Sequence, residues 1–305
     1  MGGIAFVFPG QGAQRAGMGK SLYETSPAAR EIFDMAEAIR PGTMRQCFEG
    51  GNDELLRTDN TQPCLYCADL ASAAALREAG VEPDALAGFS LGELAALAFS
   101  GAFSYSDGFR LVCARGELMR EAAEQRAAAM LAVLKLEDET VISLCDGIDG
   151  VYAVNFNCPG QIVVAGDAGV LETFKSRVKE AGGRTMPLAT GGGFHSPFMA
   201  GASAAFGLQL DKYSISTPRI PVYANVSALP YGSGAADTLT RQIRSPVLWR
   251  RSIENMLAAG IDTFIEAGPG KTLSGLISRI TERARAYGAE DGACIEQCRL
   301  SLTRR

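Results

Sequence analysis

The stretch Ala85-Leu86-Ala87-Gly88-Phe89-Ser90-Leu91-Gly92-Glu93-Leu94-Ala95-Ala96-Leu97-Ala98-Phe99 decides the fold. Ala85 to Phe89 is a short, continuous apolar run, which fits a strand buried on both faces. Leu91 to Phe99 reads as a helix. Between them stands Gly88-x-Ser90-x-Gly92. A sharp strand-to-helix turn needs small neighbours at the two glycines and pushes the serine hydroxyl into the open. N–H groups at the start of the new helix can then stabilise an oxyanion. The alternative is an ordinary glycine turn with a capping serine, and the strand before and helix after favour the elbow.

Working outward, Ile4 to Phe8 is a second apolar run, ending in Pro9-Gly10-Gln11-Gly12, a turn of flexible backbone. Helices are expected at about 28–39 and 62–79, and from a Ser104-x-x-Asp107 capping box to about Glu124. Strands are expected at Ile220–Ala224 and Thr263–Glu266, and helices at 197–212, 236–243, 247–259 and 271–283. Strands alternating with helices imply a parallel sheet covered on both faces.

The segment 126–190 changes character. Met130–Leu136, Val151–Asn155, Gln161–Ala165 and Arg184–Leu188 read as strands. Helices fall at 137–146 and over Val170, Leu171, Phe174, Val178 and Ala181. This β-α-β-β-α-β order is the split, ferredoxin-like pattern. The expected class is α/β: a parallel-sheet, α/β-hydrolase-like core with an inserted ferredoxin-like α+β subdomain. Residues 1–125 and 191–284 would form the discontinuous large domain, 126–190 the small one, and 285–305 a tail of weak periodicity.

Composition narrows the functional classes. With 305 residues the chain can bury a large core, and a net charge of −5 gives no support for a nucleic-acid binder. No apolar run approaches the ~18–20 residues that span a bilayer, and the start has no basic n-region or signal-length apolar stretch. A cytoplasmic location is expected. The eight cysteines are irregularly spaced and expected to be reduced. Cys64 and Cys67 form a single C-x-x-C in a helix, and one histidine in the whole chain argues against a zinc site.

A serine nucleophile needs a base. His195 is the sole histidine and lies in a glycine-rich loop, Gly191-Gly192-Gly193-Phe194-His195-Ser196-Pro197. If the base is an imidazole, there is no other candidate. No Asp or Glu stands where a triad would want one. Arg115 is the third feature. On its helix it shares a face with Leu111, Val112, Leu118 and Met119, so the guanidinium points into the core. A buried guanidinium requires an anionic or bidentate acceptor, and an internal salt bridge serves as well as a substrate carboxylate.

At these residues the chain resembles the malonyl-CoA:acyl carrier protein transacylases. Gly10-Gln11-Gly12, Gly88-Phe89-Ser90-Leu91-Gly92-Glu93, Arg115-Gly116, Phe194-His195-Ser196-Pro197 and Gly268-Pro269-Gly270 occur in that family's order. Asn155-Phe156-Asn157-Cys158-Pro159-Gly160-Gln161 looks like its insert-domain motif, and the likeness covers about residues 4–284. The resemblance implies Ser90 as nucleophile, His195 as base and an oxyanion hole at the Gln11 and Leu91 N–H groups. It assigns Arg115 to the malonyl carboxylate, and Phe194 to a bulk that disfavours an α-methyl group. It gives Gln242 a backbone carbonyl that orients the histidine. Its substrates would be malonyl-CoA and acyl carrier protein, with no metal or redox cofactor, and a monomer is expected. Phe89 departs from the family, which commonly has His there. The rival readings are a serine thioesterase or acyl hydrolase, and a non-catalytic carrier-protein docking subunit.

Overall fold

The computed structural model describes residues 2–189 and 191–303. Thr190, expected to close the small subdomain, lies outside the described residues. So do Met1, Arg304 and Arg305, at the ends of the expected large domain and tail. Strand β1 (Gly3–Phe8) is followed by α1 (Lys20–Thr25), α2 (Pro27–Ile39), α3 (Thr43–Glu49), α4 (Asn52–Leu56) and the long α5 (Thr58–Glu78). Then come β2 (Ala85–Gly88), α6 (Gly92–Phe99) and α7 (Tyr105–Glu124). The next elements are β3 (Ala128–Leu134), α8 (Asp138–Asp146), β4 (Val151–Cys158), β5 (Gln161–Asp167), α9 (Ala168–Glu180) and β6 (Arg184–Pro187). A 3₁₀ turn, Pro197–Met199, opens the last third: α10 (Ala200–Leu210), β7 (Val222–Tyr223), α11 (Ala235–Gln242) and α12 (Trp249–Ala258). The described chain closes with β8 (Ile261–Glu266), α13 (Thr272–Ile280), β9 (Arg285–Gly288) and α14 (Gly292–Thr303).

The large sheet has the order β7-β2-β1-β8-β9, and all its pairings are parallel. Side chains alternate across a strand, so β1 feeds two cores at once. Phe6 and Phe8 join one, with Phe99 at ring distances of 5.8 and 6.1 Å. Ala5 and Val7 join the other, with Trp249, Ile253 and Phe264. Burial on both faces is why the run carries no polar alternation. The small sheet has the antiparallel order β4-β5-β3-β6, with α8 and α9 packed on it around Phe174. The small sheet is tied to the segment before α12, where Phe156 N–H donates to the Val247 carbonyl (2.9 Å) and Val247 N–H to the Val154 carbonyl (2.8 Å).

Several boundaries differ from the sequence reading. The helix expected from 62 begins at Thr58, which places Pro63 in its second turn rather than at its start. The strand expected over 220–224 is only Val222–Tyr223. The helix expected over 197–212 is a 3₁₀ turn plus α10. The stretch from 285 is not an appended tail. β9 pairs in parallel with β8, and Ser72 Oγ on α5 donates to the Ala289 carbonyl at 2.6 Å.

β1, β2 and β7 are parallel neighbours, so the loops that follow them leave from one end of the sheet, the end that α/β sheets use for ligands. The turn after β2 is tight. A Cβ at Gly88 would lie 1.9 Å from the Gly92 carbonyl carbon, and one at Gly92 would lie 2.1 Å from the Phe8 oxygen. The obstacle at both positions is backbone. Gly88→Ala should therefore cost at least about 1–3 kcal/mol, the usual penalty of overpacking. Its thermal unfolding midpoint should fall by several degrees, and an unchanged midpoint would show that the turn has slack.

Candidate active site

Ser90 follows β2 with φ at 53°, a left-handed conformation unusual for a residue with a side chain. The turn is held in place by Asn225, which follows β7. Ser90 N–H donates to Asn225 Oδ1 (2.8 Å), and Asn225 Nδ2 donates to the Gly88 carbonyl (2.6 Å). The hydroxyl is thereby presented to a cavity of about 80 Å³ lined by Gln11, Gln62, Arg115, Asn155, Phe194 and His195 among others. A groove of about 660 Å³, lined by Arg57, Thr58, Arg120 and Phe194, adjoins it at Phe194.

His195 also has a positive φ, 61°. Its Nε2 lies 2.7 Å from Ser90 Oγ, and its Nδ1 lies 3.0 Å from the Gln242 carbonyl oxygen. A carbonyl only accepts, so Nδ1 carries the proton and Nε2 is left to accept one from the serine. Burial, with a further contribution from the Arg115 charge, pushes the imidazole down from 6.5 to about 4. The neutral form that can act as a base thus persists through the neutral range.

Arg115, on α7, is buried with 1% of its surface exposed. Nη1 donates to Gln62 Oε1 (2.6 Å), and Nη2 to Gln242 Oε1 (2.9 Å) and Ser90 Oγ (3.2 Å). These acceptors are all neutral, and Nε has no partner among the described residues. Burial lowers the guanidinium to about 10, against a smaller opposing pull from Glu93, so it stays charged. Gln242 Nε2 in turn donates to the Ser90 carbonyl (2.6 Å) and to Glu93 Oε2 (3.0 Å).

Glu93 lies beneath the turn, fully buried, receiving the Tyr231 hydroxyl and the Asn225 N–H (3.2 Å). Burial outweighs these donors and raises it to about 7. The Gln11 and Leu91 N–H groups make no hydrogen bond among the described residues. Both residues line the cavity, and Leu91 opens α6.

The structure thus brings together Ser90, His195, Gln11, Leu91, Arg115, Phe194 and Gln242, all singled out from sequence. Gln62, Tyr231 and Asn225 were not singled out, and Glu93 and Asn155 were quoted only within motifs. Tyr231 and Asn225 gave no signal in the sequence, being 138 and 132 residues from Glu93. Cys64 and Cys67 are buried free thiols inside α5. Among the described residues no helix is long and apolar enough to cross a membrane.

A hydroxyl on a strained turn, an imidazole in contact with it and free N–H groups at a helix start can pass an acyl group through an ester. That chemistry defines the class as serine-dependent acyl-transfer enzymes. Residues 5–292 match the family described as acyl transferase domain. The malonyl CoA-acyl carrier protein transacylase of Bacillus subtilis (strain 168) is 40% identical over 304 residues, covering 97% of this chain and 96% of the relative. That of Escherichia coli (strain K12) is 36% identical over 291 residues, covering 93% and 94%. The crystal structure of the transacylase from Clostridium perfringens superposes with a TM-score of 0.95 at 35% identity, covering 99% and 97%. A malonyl-transacylase in complex with a type II PKS acyl-carrier protein superposes at 0.94 with 32% identity, covering 98% and 99%. The chain belongs to the malonyl CoA-acyl carrier protein transacylase family.

The imidazole sets a pH signature. Because His195 is held down at about 4 rather than 6.5, the base form survives acidification over that interval. The acid limb of kcat/KM for serine acylation, which reports the free enzyme, should have its midpoint near 4. A midpoint near 6.5 would contradict the environment described. The same shift acts on the fold. The unfolded chain takes the proton first, so stability present above pH 6.5 is lost as pH falls through 4.

Proposed function

We propose that this enzyme moves a malonyl group from malonyl-CoA to the phosphopantetheine thiol of an acyl carrier protein, by a ping-pong route through a Ser90 ester. The observation that carries the reading is Arg115, a buried cation 3.2 Å from Ser90 Oγ with only neutral acceptors around it. A carboxylate on the acyl group would complete that charge, and a monocarboxylic acyl group would not.

In this mechanism His195 Nε2 accepts the Ser90 proton as Oγ attacks the thioester carbonyl. The C–S bond breaks from a tetrahedral intermediate whose oxyanion accepts from the Gln11 and Leu91 N–H groups. His195 returns the proton to the departing thiolate. The carrier's thiol then runs the steps in reverse, with the Gln242 carbonyl keeping the imidazole's tautomer throughout. The hydrolase reading is less well supported, since a main-chain carbonyl and not a carboxylate faces His195 Nδ1. A cytoplasmic setting accords with eight free cysteines, and a role in fatty-acid or polyketide synthesis with transfer to an acyl carrier protein, the partner of one neighbour being a type II PKS acyl-carrier protein.

The test is the malonyl-to-acetyl ratio of Ser90 acylation, read by intact-protein mass spectrometry. Arg115→Leu should cut malonyl loading by more than ~30-fold, since losing one partner of a desolvated pair costs about 2–5 kcal/mol. Acetyl loading should fall less or rise. An unchanged ratio in a folded variant would make Arg115 structural and end the dicarboxylate reading.

Carrier recognition is a separate matter. Arg241 and Arg244 are exposed on either side of Gln242, so they flank the site's histidine anchor. Arg250, also in that segment, is engaged with Glu254 and Asp138. An acidic carrier would be steered by the first two. Arg241→Glu with Arg244→Glu should raise the KM for carrier several-fold and spare loading from malonyl-CoA. Equal losses in both half-reactions would remove these arginines from docking.

A further inference from the structure

Phe89 stands immediately before the nucleophile, where the chain departs from the family pattern. Its main chain is fixed: the N–H donates to the Phe8 carbonyl (2.9 Å) and the carbonyl accepts from Gly92 N–H (3.0 Å). Its half-buried ring lines the Ser90 cavity and packs on Trp249, with ring centroids 5.6 Å apart at 58°.

That packing leaves a donor stranded. Trp249 is fully buried, and its indole Nε1 has no hydrogen-bond partner among the described residues. An indole N–H can only donate, and a buried donor left unmade destabilises the fold. The core it shares with Val7, Val247, Ile253 and Phe264 is apolar, and the ring packed against it has no acceptor to offer. A polar side chain at 89 could have supplied one. The apolar ring is kept at that cost, which points to a task on its other side, toward the cavity.

The chemistry names the task. An ester on Ser90 can pass to water as well as to a thiol. Water's oxygen would bond to the ester carbonyl carbon while its proton passes to His195 Nε2. The C–Oγ bond would then break, Oγ would take that proton, and the acyl group would leave as a free acid. A thiol on a long arm is delivered by binding, but water arrives unaided. A buried water needs about two to four polar partners, and an apolar wall supplies none. Resting on the acyl-transfer reading, we propose that Phe89 keeps water from the Ser90 ester and so sets the preference for a thiol over water as acceptor.

The test is the partition of the preformed ester. The protein is loaded with malonyl-CoA, freed of excess by desalting, and followed by intact-protein mass spectrometry with and without N-acetylcysteamine as the thiol. In Phe89→His the ratio of hydrolysis to thiol transfer should rise roughly tenfold, the weight of one hydrogen bond given to a bound water. Phe89→Asn gives the same reading if the histidine variant folds poorly, and Phe89→Met, apolar and of similar length, should keep the parent ratio. A purely structural role would slow both reactions together and leave the ratio where it was. The parent ratio in folded polar variants, or a methionine variant that leaks as fast as they do, overturns the assignment. Failure of the parent protein to load on Ser90 would bring down the acyl-transfer reading instead, and this assignment with it.

Discussion

A guanidinium can give hydrogen bonds but never take them, and at Arg115 that one-way chemistry is buried. Every polar group around it must turn an oxygen inward. Gln62 and Gln242 do so with Oε1, and Ser90 with its hydroxyl. Both glutamines then have their NH₂ ends fixed. Gln62 addresses Thr58, and Gln242 addresses the Ser90 carbonyl and Glu93. The polarity of the site thus propagates from one cation through residues on α5, α7, α11 and the turn after β2. Breaking any one of these contacts leaves a buried polar group unpaired, at about 1–3 kcal/mol, and the directions are mutually dependent.

Below that layer, Glu93 supplies what Arg115 cannot. It accepts from Tyr231, Gln242 and Asn225 together. Gln242 and Asn225 are the two residues that hold the ends of the Ser90–His195 pair, one through its carbonyl on His195 and the other through the turn itself. Burial holds Glu93 near 7, so its charge is poised rather than fixed. A buried carboxyl with three donors is a means of fixing geometry across strands distant in sequence, at some cost in desolvation.

The parts of this arrangement legible in the sequence are those written locally. Gly88-x-Ser90-x-Gly92 is visible because the turn's sterics demand glycine at two fixed offsets. Arg115 is visible because helical periodicity says which face is buried. His195 is visible by being the sole histidine. The remainder is written across long separations. Tyr231 and Asn225 meet Glu93 only after the sheet has assembled, and no spacing rule anticipates them. Pro63 has no N–H to give a helix interior, yet α5 begins at Thr58 and carries the proline in its second turn. β9 is four residues, partly exposed, and too short for a pattern. Only the open edge of β8 reveals why it exists.

The strand order has a consequence for how the chain comes into being. β1 has β2 on one side and β8 on the other, pairing Phe6 with Leu86 and with Ile265. As the polypeptide leaves the ribosome, the first partner arrives early. The second arrives only after the entire small sheet has been made. Throughout that interval the central strand presents an unpaired apolar edge, a template for any neighbouring nascent chain. The antiparallel unit between them closes on contacts near in sequence and can fold while the parallel sheet waits. Synthesis thus delivers the nucleophile's strand long before the frame that gives its hydroxyl a direction.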